Sequence, residues 1–426
     1  MMAAEAGEVR AERDQYIPAR KADILDALIE HGALDERQRV QFRQLGRELA
    51  AIYHYNYFDQ LEQLRADYFY FNPEREPHVR FDGAARERAY ADLVETFDRV
   101  LAGANFVAIP HIEIERAHSE RATLRVAIKT PLDDYRDVRF FHRGHHKETI
   151  EVADWFGLRK RKVEAIVYDD VVLFVAMKER EAIVSKRELK RLAAQKLRPG
   201  SVLIKYFRNI ARTDLGGLFP NVRVVMSNFD KLVFGVPAIA GGVPSILNIA
   251  STLTVLFVVL GFYLGISGAV HESEVKKALA ALSGLAALGA YLMQLWVKYQ
   301  RQSLKYQKVL KDNVYFRNIN NNAGTFDHLI GAAEDQECKE AFLAYYFLHT
   351  ADASSTQDEL ERRIEIWLRE TFGLDCDFDV DDALRKLDRL GLLVRDGERL
   401  SVLALDDTLA QLKRVWGDLF SSANAK

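Results

Sequence analysis

The 426-residue sequence predicts an α+β multidomain membrane protein with a helical N-terminal region, an antiparallel-sheet α+β domain, a two-helix transmembrane hairpin and a C-terminal winged-helix-like domain. Three observations predict this class. Apolar residues recur every three or four positions in the first hundred residues, the period then shortens to two, and two uncharged runs follow at 246–266 and 278–297. Charged residues make up 28% of the chain and the net charge is -3. This balance excludes a disordered chain and a globally basic nucleic-acid binder.

The N-terminal part is predicted to be helical over 16–103, after a disordered stretch at 1–15. Its apolar residues follow the helical period until Asn72 and Pro73 interrupt it. The aromatic residues of this region, rich in Tyr and Phe, are expected to form core, with base stacking as the alternative. The acidic residues of the first stretch argue against a secretory signal or a transit peptide.

A basic α+β domain is predicted over 104–231. Short runs rich in β-branched and aromatic residues between Phe106 and Met177 predict an antiparallel sheet. Asp169 and Asp170 are interpreted as a turn between two of its strands, with a metal site as the alternative. Helix is expected over 178–219, a stretch that includes "VLIKYFRNIARTDLGGLFPN".

The transmembrane hairpin is predicted over 232–298, with spans at about 246–266 and 278–297. Each run is uncharged and long enough to cross about 30 Å of hydrocarbon as a helix. The alternative is a pair of core helices in a large α domain. Basic residues flank the hairpin on its outer ends, which predicts a multi-pass protein of the cell inner membrane with both soluble parts on the cytoplasmic side.

A basic helix and linker at 299–330 and an acidic winged-helix-like domain at 336–418 complete the chain, followed by a tail at 419–426. The latter domain is predicted from three helical patterns and a two-stranded wing. Residues 336–426 contain 12 Lys plus Arg and 19 Asp plus Glu. A DNA-binding wing requires a positive face, so nucleic acid is not an expected partner.

Two basic groups are predicted to contact lipid headgroups. The first lies on one helix face after the second span, and the second is the run "RKRK". The alternative for the first group is a solvated helix face, and the basic domain could instead dock the acidic winged helix. The residues are Lys298, Arg301, Lys305, Lys308, Arg159, Lys160, Arg161 and Lys162.

Chemistry-bearing motifs are sparse. No P-loop, GxGxxG, HExxH, GxSxG or kinase signature occurs, so the sequence predicts no catalytic residue and no cofactor. His142, His145 and His146 form the densest titratable group and are the candidate metal ligands. The alternative is a strand end where the three imidazoles do not share a centre. The two cysteines, Cys338 and Cys376, form neither a disulfide framework nor a zinc motif.

Four segments carry a resemblance to a known family: "YIPARKADILDAL", "YNYFDQLEQLRADYFYFNPE", "IKYFRNIARTDLGGLFPN" and "DVDDALRKLDRLGLL". In their order they resemble an uncharacterised family of two-pass membrane proteins, a domain of unknown function that includes the mitochondrial transmembrane protein one-four-three. The present chain looks like a bacterial member. The resemblance implies a membrane anchor and no assigned reaction.

The function expected from these observations is a membrane-anchored binding or scaffolding module that engages anionic lipid or a protein partner. A homo-oligomer is another expected partner. The alternatives are a metal-dependent or lipid-modifying membrane enzyme that uses the three histidines, and an oligomeric small channel or transporter.

Overall fold

The computed structural model describes most of the chain on either side of a long central stretch. The described residues are 13–74, 83–114, 127–129, 134–154, 159–183, 185–194, 197–220, 223–225, 264, 276, 279, 282–283, 286–287, 289–294, 296–298, 300–301, 304 and 316–423.

Helices dominate the N-terminal and C-terminal parts of the described chain. They are α1 (Lys21–Glu30), α2 (Glu36–Tyr68), α3 (Gly83–Gly103), α4 (Lys186–Ala194), α5 (Ala323–His349), α6 (Gln357–Phe372), α7 (Val380–Arg389) and α8 (Leu405–Ala423). Local sequence explains several of their ends. Capping boxes formed by Asp35 with Gln38 and by Thr356 with Glu359 begin α2 and α6. Gly373, in the left-handed region at φ 68°, ends α6.

The strands lie mainly between the two helical ends. They are β1 (Val107–Ala108), β2 (Ala127–Lys129), β3 (Tyr135–Asp154), β4 (Arg159–Met177), β5 (Val202–Ala211), β6 (Arg223–Val225), β7 (Asn318–Asn321), β8 (Leu393–Asp396) and β9 (Arg399–Val402). One antiparallel sheet has the order β1-β3-β4-β5-β7, while β2 pairs with β6 and β8 with β9. The chain is therefore α+β with an antiparallel sheet, as the change of period predicts.

The helix expected over 178–219 is wrong at residues 202–211, which form strand β5. Val202, Ile204 and Tyr206 are buried in one core, whereas Phe207 and Ile210 are buried in another on the opposite face of the sheet. Because both faces of this strand are covered, its sequence lacks the apolar-polar alternation that marks a half-buried strand. A short apolar run without alternation also fits a buried helix, and a helix was therefore predicted here.

The predicted turn at Asp169 and Asp170 is also wrong. Both residues lie inside the continuous strand β4, and Asp170 is paired with Arg143 of β3 and with Arg208 of β5. Two apolar runs with acidic residues between them therefore form one long strand. The carboxylates are tolerated inside the strand because Asp170 pairs with Arg143 and Arg208 and Asp169 pairs with His146.

Three hydrophobic cores hold these elements together. The first joins α1 and the first half of α2 to the C-terminal helices α5–α8. The second packs the rest of α2, with α3 and the start of α5, on one face of the sheet. The third covers the opposite face with the segments that follow β4 and β5. Most clustered aromatics of α2 are core, as predicted: Tyr53, Tyr57 and Tyr68 are buried, although Phe58 is exposed.

The prediction of a two-pass membrane protein is wrong for the part of the chain that the structure describes. No helix among those residues is both long enough and apolar enough to cross a membrane. The long helices α2 and α5 reach a spanning length, but each carries several charged residues. The inner-membrane assignment rested on the same two spans and is corrected with them. Contact with anionic lipid stays a prediction. The predicted span 246–266 lies outside the described residues except for Leu264, and 278–297 is described only at separate positions.

Candidate functional site

Strands β3 and β4 form a hairpin that extends well beyond the sheet. Their pairing continues to Asp154 opposite Arg159, whereas the pairing of β4 with β5 stops at Val167 opposite Ala211. Residues 147–154 and 159–166, which we call the outer ribbon, have no third strand beside them among the described residues. Eight residue pairs at about 3.4 Å each give a projection of about 27 Å. The ribbon therefore presents two strand edges.

The two strands of the outer ribbon carry opposite charge. Residues 147–154 contain one lysine and three acidic residues, whereas 159–166 contain four basic residues and one glutamate. Lys147, Glu148 and Lys162 are exposed and have no hydrogen bond or ion pair to any other residue that the structure describes. Charged side chains on an open strand edge oppose non-specific pairing and favour a partner of opposite charge. The edge of β4 is the basic one.

A glycine fixes the base of the ribbon. Gly144 has φ 64°, a conformation that L side chains rarely adopt, and a Cβ there would overlap the Asp169 carboxylate. Asp169 lies against this backbone and pairs through Oδ1 with Nδ1 of His146 at 2.7 Å. The close approach of β3 and β4 at this point requires glycine.

A buried ionic cluster anchors the ribbon to the sheet. Arg143 Nε donates to Asp170 Oδ2 at 2.8 Å, and Arg208 Nε donates to Asp170 Oδ1 at 3.1 Å. The side chains of Arg143 and Asp170 are 7% and 6% exposed. The Arg143 guanidinium also lies over the rings of Tyr16 and Phe106, at 4.6 and 4.9 Å. One carboxylate thus ties together β3, β4 and β5, because each strand supplies one member of the cluster.

The predicted metal ligands do not converge. His142 stacks on Tyr168 with ring centroids 4.2 Å apart. His145 has Nδ1 at 3.5 Å from Asp14 Oδ2, and His146 pairs with Asp169. Burial lowers the pKa of His142, which favours its neutral form. The three imidazoles have separate neighbours, and they lie inside strand β3, not at the strand end that the alternative interpretation placed there.

A different group of acidic residues comes within ligand distance. Glu361, Glu365 and Asp377 form the cluster that the described residues offer for a cation. The guanidinium of Arg13 already lies there, with its nitrogens 2.8 Å from Glu365 and 3.1 Å from Asp377. The cluster is therefore explained by an arginine from the N-terminal segment.

The residues predicted to contact lipid headgroups lie on different elements, and two of them lie outside the described residues. Arg159, Lys160, Arg161 and Lys162 belong to the outer ribbon on β4. Lys298 and Arg301 are helical and exposed. Lys305 and Lys308 lie outside the described residues. The "RKRK" run is therefore the basic group that the structure places on a defined element.

A second buried ionic cluster was missed by sequence reasoning. Lys386 of α7 is buried, and its ammonium pairs with Glu340, with Asp382 at 2.6 Å and with Glu337 at 3.3 Å. Glu340 also accepts a hydrogen bond from Asn105 at 2.8 Å. Burial raises the pKa of Glu340. In sequence, the signal is faint: Lys386 follows the buried Ala383 by three residues and so lies beside the apolar face of α7.

Comparison with known proteins gives a partial assignment. Residues 168–324 match the model of a protein family described as "Protein of unknown function (DUF3754)". The matched segment begins in β4 and ends in α5, so it contains Asp170 and Arg208 but neither β3 nor any residue of the outer ribbon. The resemblance to an uncharacterised family is thereby supported at the level of one domain of unknown function. No solved structure matches the chain.

Proposed function

We propose that the protein is a binding module that adds an extended acidic segment of a partner protein to the free edge of β4. The observation that carries this proposal is the outer ribbon, where β4 continues beyond its last pairing with β5 at Val167. The unpaired N–H and C=O groups of such an edge can form a new ladder with an added strand.

Charge selects the class of partner. The edge strand begins with Arg159, Lys160, Arg161 and Lys162 and contains one acidic residue, Glu164. An acidic strand would place carboxylates opposite these cations, whereas a basic strand would be repelled. Cross-strand pairs of opposite charge contribute roughly 0.2–1 kcal/mol each, so charge supplies selectivity and the backbone ladder supplies most of the affinity.

The base of the ribbon supports this role. The Arg143–Asp170–Arg208 cluster, of which Arg143 and Asp170 are buried, and the close approach at Gly144 fix the base of the ribbon relative to the sheet. A fixed edge loses little conformational entropy when a strand is added, which favours binding.

A defined peptide tests the proposal. The probe is a fluorescein-labelled (Glu-Val)4 peptide, and the readout is fluorescence anisotropy with the full chain at 50 and 500 mM NaCl. We expect saturable binding that weakens at high salt because exposed charges are screened. The matched probe, (Lys-Val)4, should not bind.

Two variants locate the binding. Lys160→Glu with Lys162→Glu should weaken binding of (Glu-Val)4 at least tenfold, whereas the control pair Lys413→Glu with Arg414→Glu on α8 should not. Replacing 148–165 with Asn-Gly joins the paired residues Lys147 and Ile166 by a two-residue hairpin turn and should abolish binding. Unchanged binding in this shortened chain, with the same thermal transition as the parent, would refute the proposal.

A further inference from the structure

A cavity of about 380 Å³ lies in the C-terminal part of the molecule, away from the outer ribbon. It is bounded by the loop 351–355 between α5 and α6, by the exposed side of α6, and by Arg399 of β9. This volume is within the range of small-molecule sites.

The walls of the cavity are held by backbone hydrogen bonds. Ser355 and Leu400 exchange two of them, at 3.0 and 2.8 Å, so the loop is fixed against the β8–β9 hairpin. On the other side, the capping box of Thr356 and Glu359 fixes the first turn of α6. The cavity is therefore a preformed feature of the fold.

Three guanidinium groups line this cavity. Arg399 donates through Nη1 to the Ser354 carbonyl at 2.9 Å, and Arg363 donates through Nη1 to the Phe347 carbonyl at 3.2 Å. Arg362 is exposed and makes no hydrogen bond or close ion pair to another residue in the described part of the chain. Each guanidinium has five N–H donors, and these contacts occupy only Nη1 of Arg399 and Nη1 of Arg363.

The charge around the cavity favours an anion. Its lining holds Arg362, Arg363 and Arg399 against Asp352 and Glu359. The Glu359 carboxylate already accepts from the Thr356 backbone at 2.8 Å and pairs with Arg399 at 3.3 Å. The cavity is thus a positive site within a C-terminal region that has 12 basic and 19 acidic residues.

We infer that this cavity binds a small phosphate monoester. Planar guanidinium groups form paired hydrogen bonds to phosphate oxygens, and Arg362 is the group free to do so. The side chains of Ala351, Ala353 and Ile366 form an apolar part of the lining. That part would contact the organic portion of the ester, which distinguishes the ligand from inorganic phosphate.

Isothermal titration of the full chain with three probes tests the inference. The probes are phenyl phosphate, inorganic phosphate and benzoate. Phenyl phosphate should bind with 1:1 stoichiometry, and at least tenfold more tightly than either of the others. Equal affinity for inorganic phosphate, or no binding of phenyl phosphate, would overturn the assignment.

A pair of variants identifies the site. Arg362→Gln should weaken phenyl phosphate binding at least tenfold, because it removes a charged donor from the ligand. Arg414→Gln on α8 is the matched control, since Arg414 is also exposed and does not line the cavity. Equal affinity in both variants, each with the parent's thermal transition, would show that the ester binds elsewhere and would overturn the inference.

Discussion

Replacement of Lys386 by Met should strongly destabilise the protein. The Lys386 side chain is 2% exposed, and its ammonium is the cation that Glu340, Asp382 and Glu337 share. Met fills a similar volume but leaves the Glu340 carboxylate, which is also 2% exposed, with Asn105 as its remaining hydrogen-bond partner. Removing one member of a buried ion pair costs about 3–5 kcal/mol. We expect a loss of this size in the free energy of unfolding at pH 8.

Urea unfolding followed by far-UV circular dichroism measures this loss. Lys413→Met is the matched control, because Lys413 is exposed on α8, and it should change the free energy of unfolding by no more than about 0.5 kcal/mol. The double variant Lys386→Met with Glu340→Gln should recover roughly half of the loss, since the orphaned charge is removed as well. A loss below about 1 kcal/mol in Lys386→Met would refute the reasoning.

The pH dependence of the Lys386→Met variant gives a second test of the same cluster. Burial raises the pKa of both Glu340 and Glu337, and Lys386 opposes that rise. Without the ammonium, their folded-state pKa values should rise further above those of the unfolded chain. A carboxyl whose pKa is raised on folding takes up protons as it folds, so its contribution to stability increases as the pH falls. The variant's deficit relative to the parent should therefore be smaller at pH 5 than at pH 8, and an equal deficit at both would contradict this account.

Two further predictions concern single sites. Gly144→Ala should lower the free energy of unfolding by about 1–3 kcal/mol, because alanine is strained at φ 64° and overlaps Asp169. The control Gly331→Ala, in open space on α5, should instead be neutral or stabilising by up to about 1 kcal/mol, and a matching loss in both variants would argue against the strain. Burial raises the pKa of Cys338 to about 12 and that of Cys376 to about 11, so both thiols should react with DTNB at pH 8 at least tenfold more slowly in the folded chain than in 6 M guanidinium. Rapid reaction of either thiol in the folded chain would contradict its burial.

The sequence predicts the elements that have a one-sided burial pattern. Helix α2 shows a helical period, so its helical character is predicted from the sequence, whereas its start at the capping box of Asp35 is found only in the structure. Strand β5 is not predicted from the sequence, because both of its faces are buried and its apolar residues do not alternate with polar ones. The membrane prediction rested on the length and composition of two uncharged runs, and no helix in the described part of the chain has both the length and the apolar character of a span.

Only part of the candidate site can be predicted from the sequence. The "RKRK" run is evident, but the edge of β4 beside it, where no further described strand pairs, depends on where β5 stops pairing, at Ala211. Asp170 has the same side chain as Asp169, yet one is buried between two arginines and the other is partly exposed beside a histidine. Only the register of β3, β4 and β5 distinguishes them. The arginine-lined cavity combines Arg362 with Arg399, which are brought together by the pairing of Ser355 with Leu400.

Helices α2 and α5 each pass through two hydrophobic cores. In α2, Phe42 belongs to the core shared with the C-terminal helices and Leu64 to the core against the sheet; in α5, Phe342 and Phe326 divide in the same way. Unfolding of either core would disrupt part of α2 and part of α5, and the other parts of these two helices pack in the second core. The two ends of the chain should consequently unfold in one cooperative transition, and a fragment cut between the sheet and the C-terminal helices would leave one apolar face of α5 without its packing partners. Helices α5–α8 therefore share one core with the N-terminal helices α1 and α2, although the strands of the sheet separate the two groups along the chain.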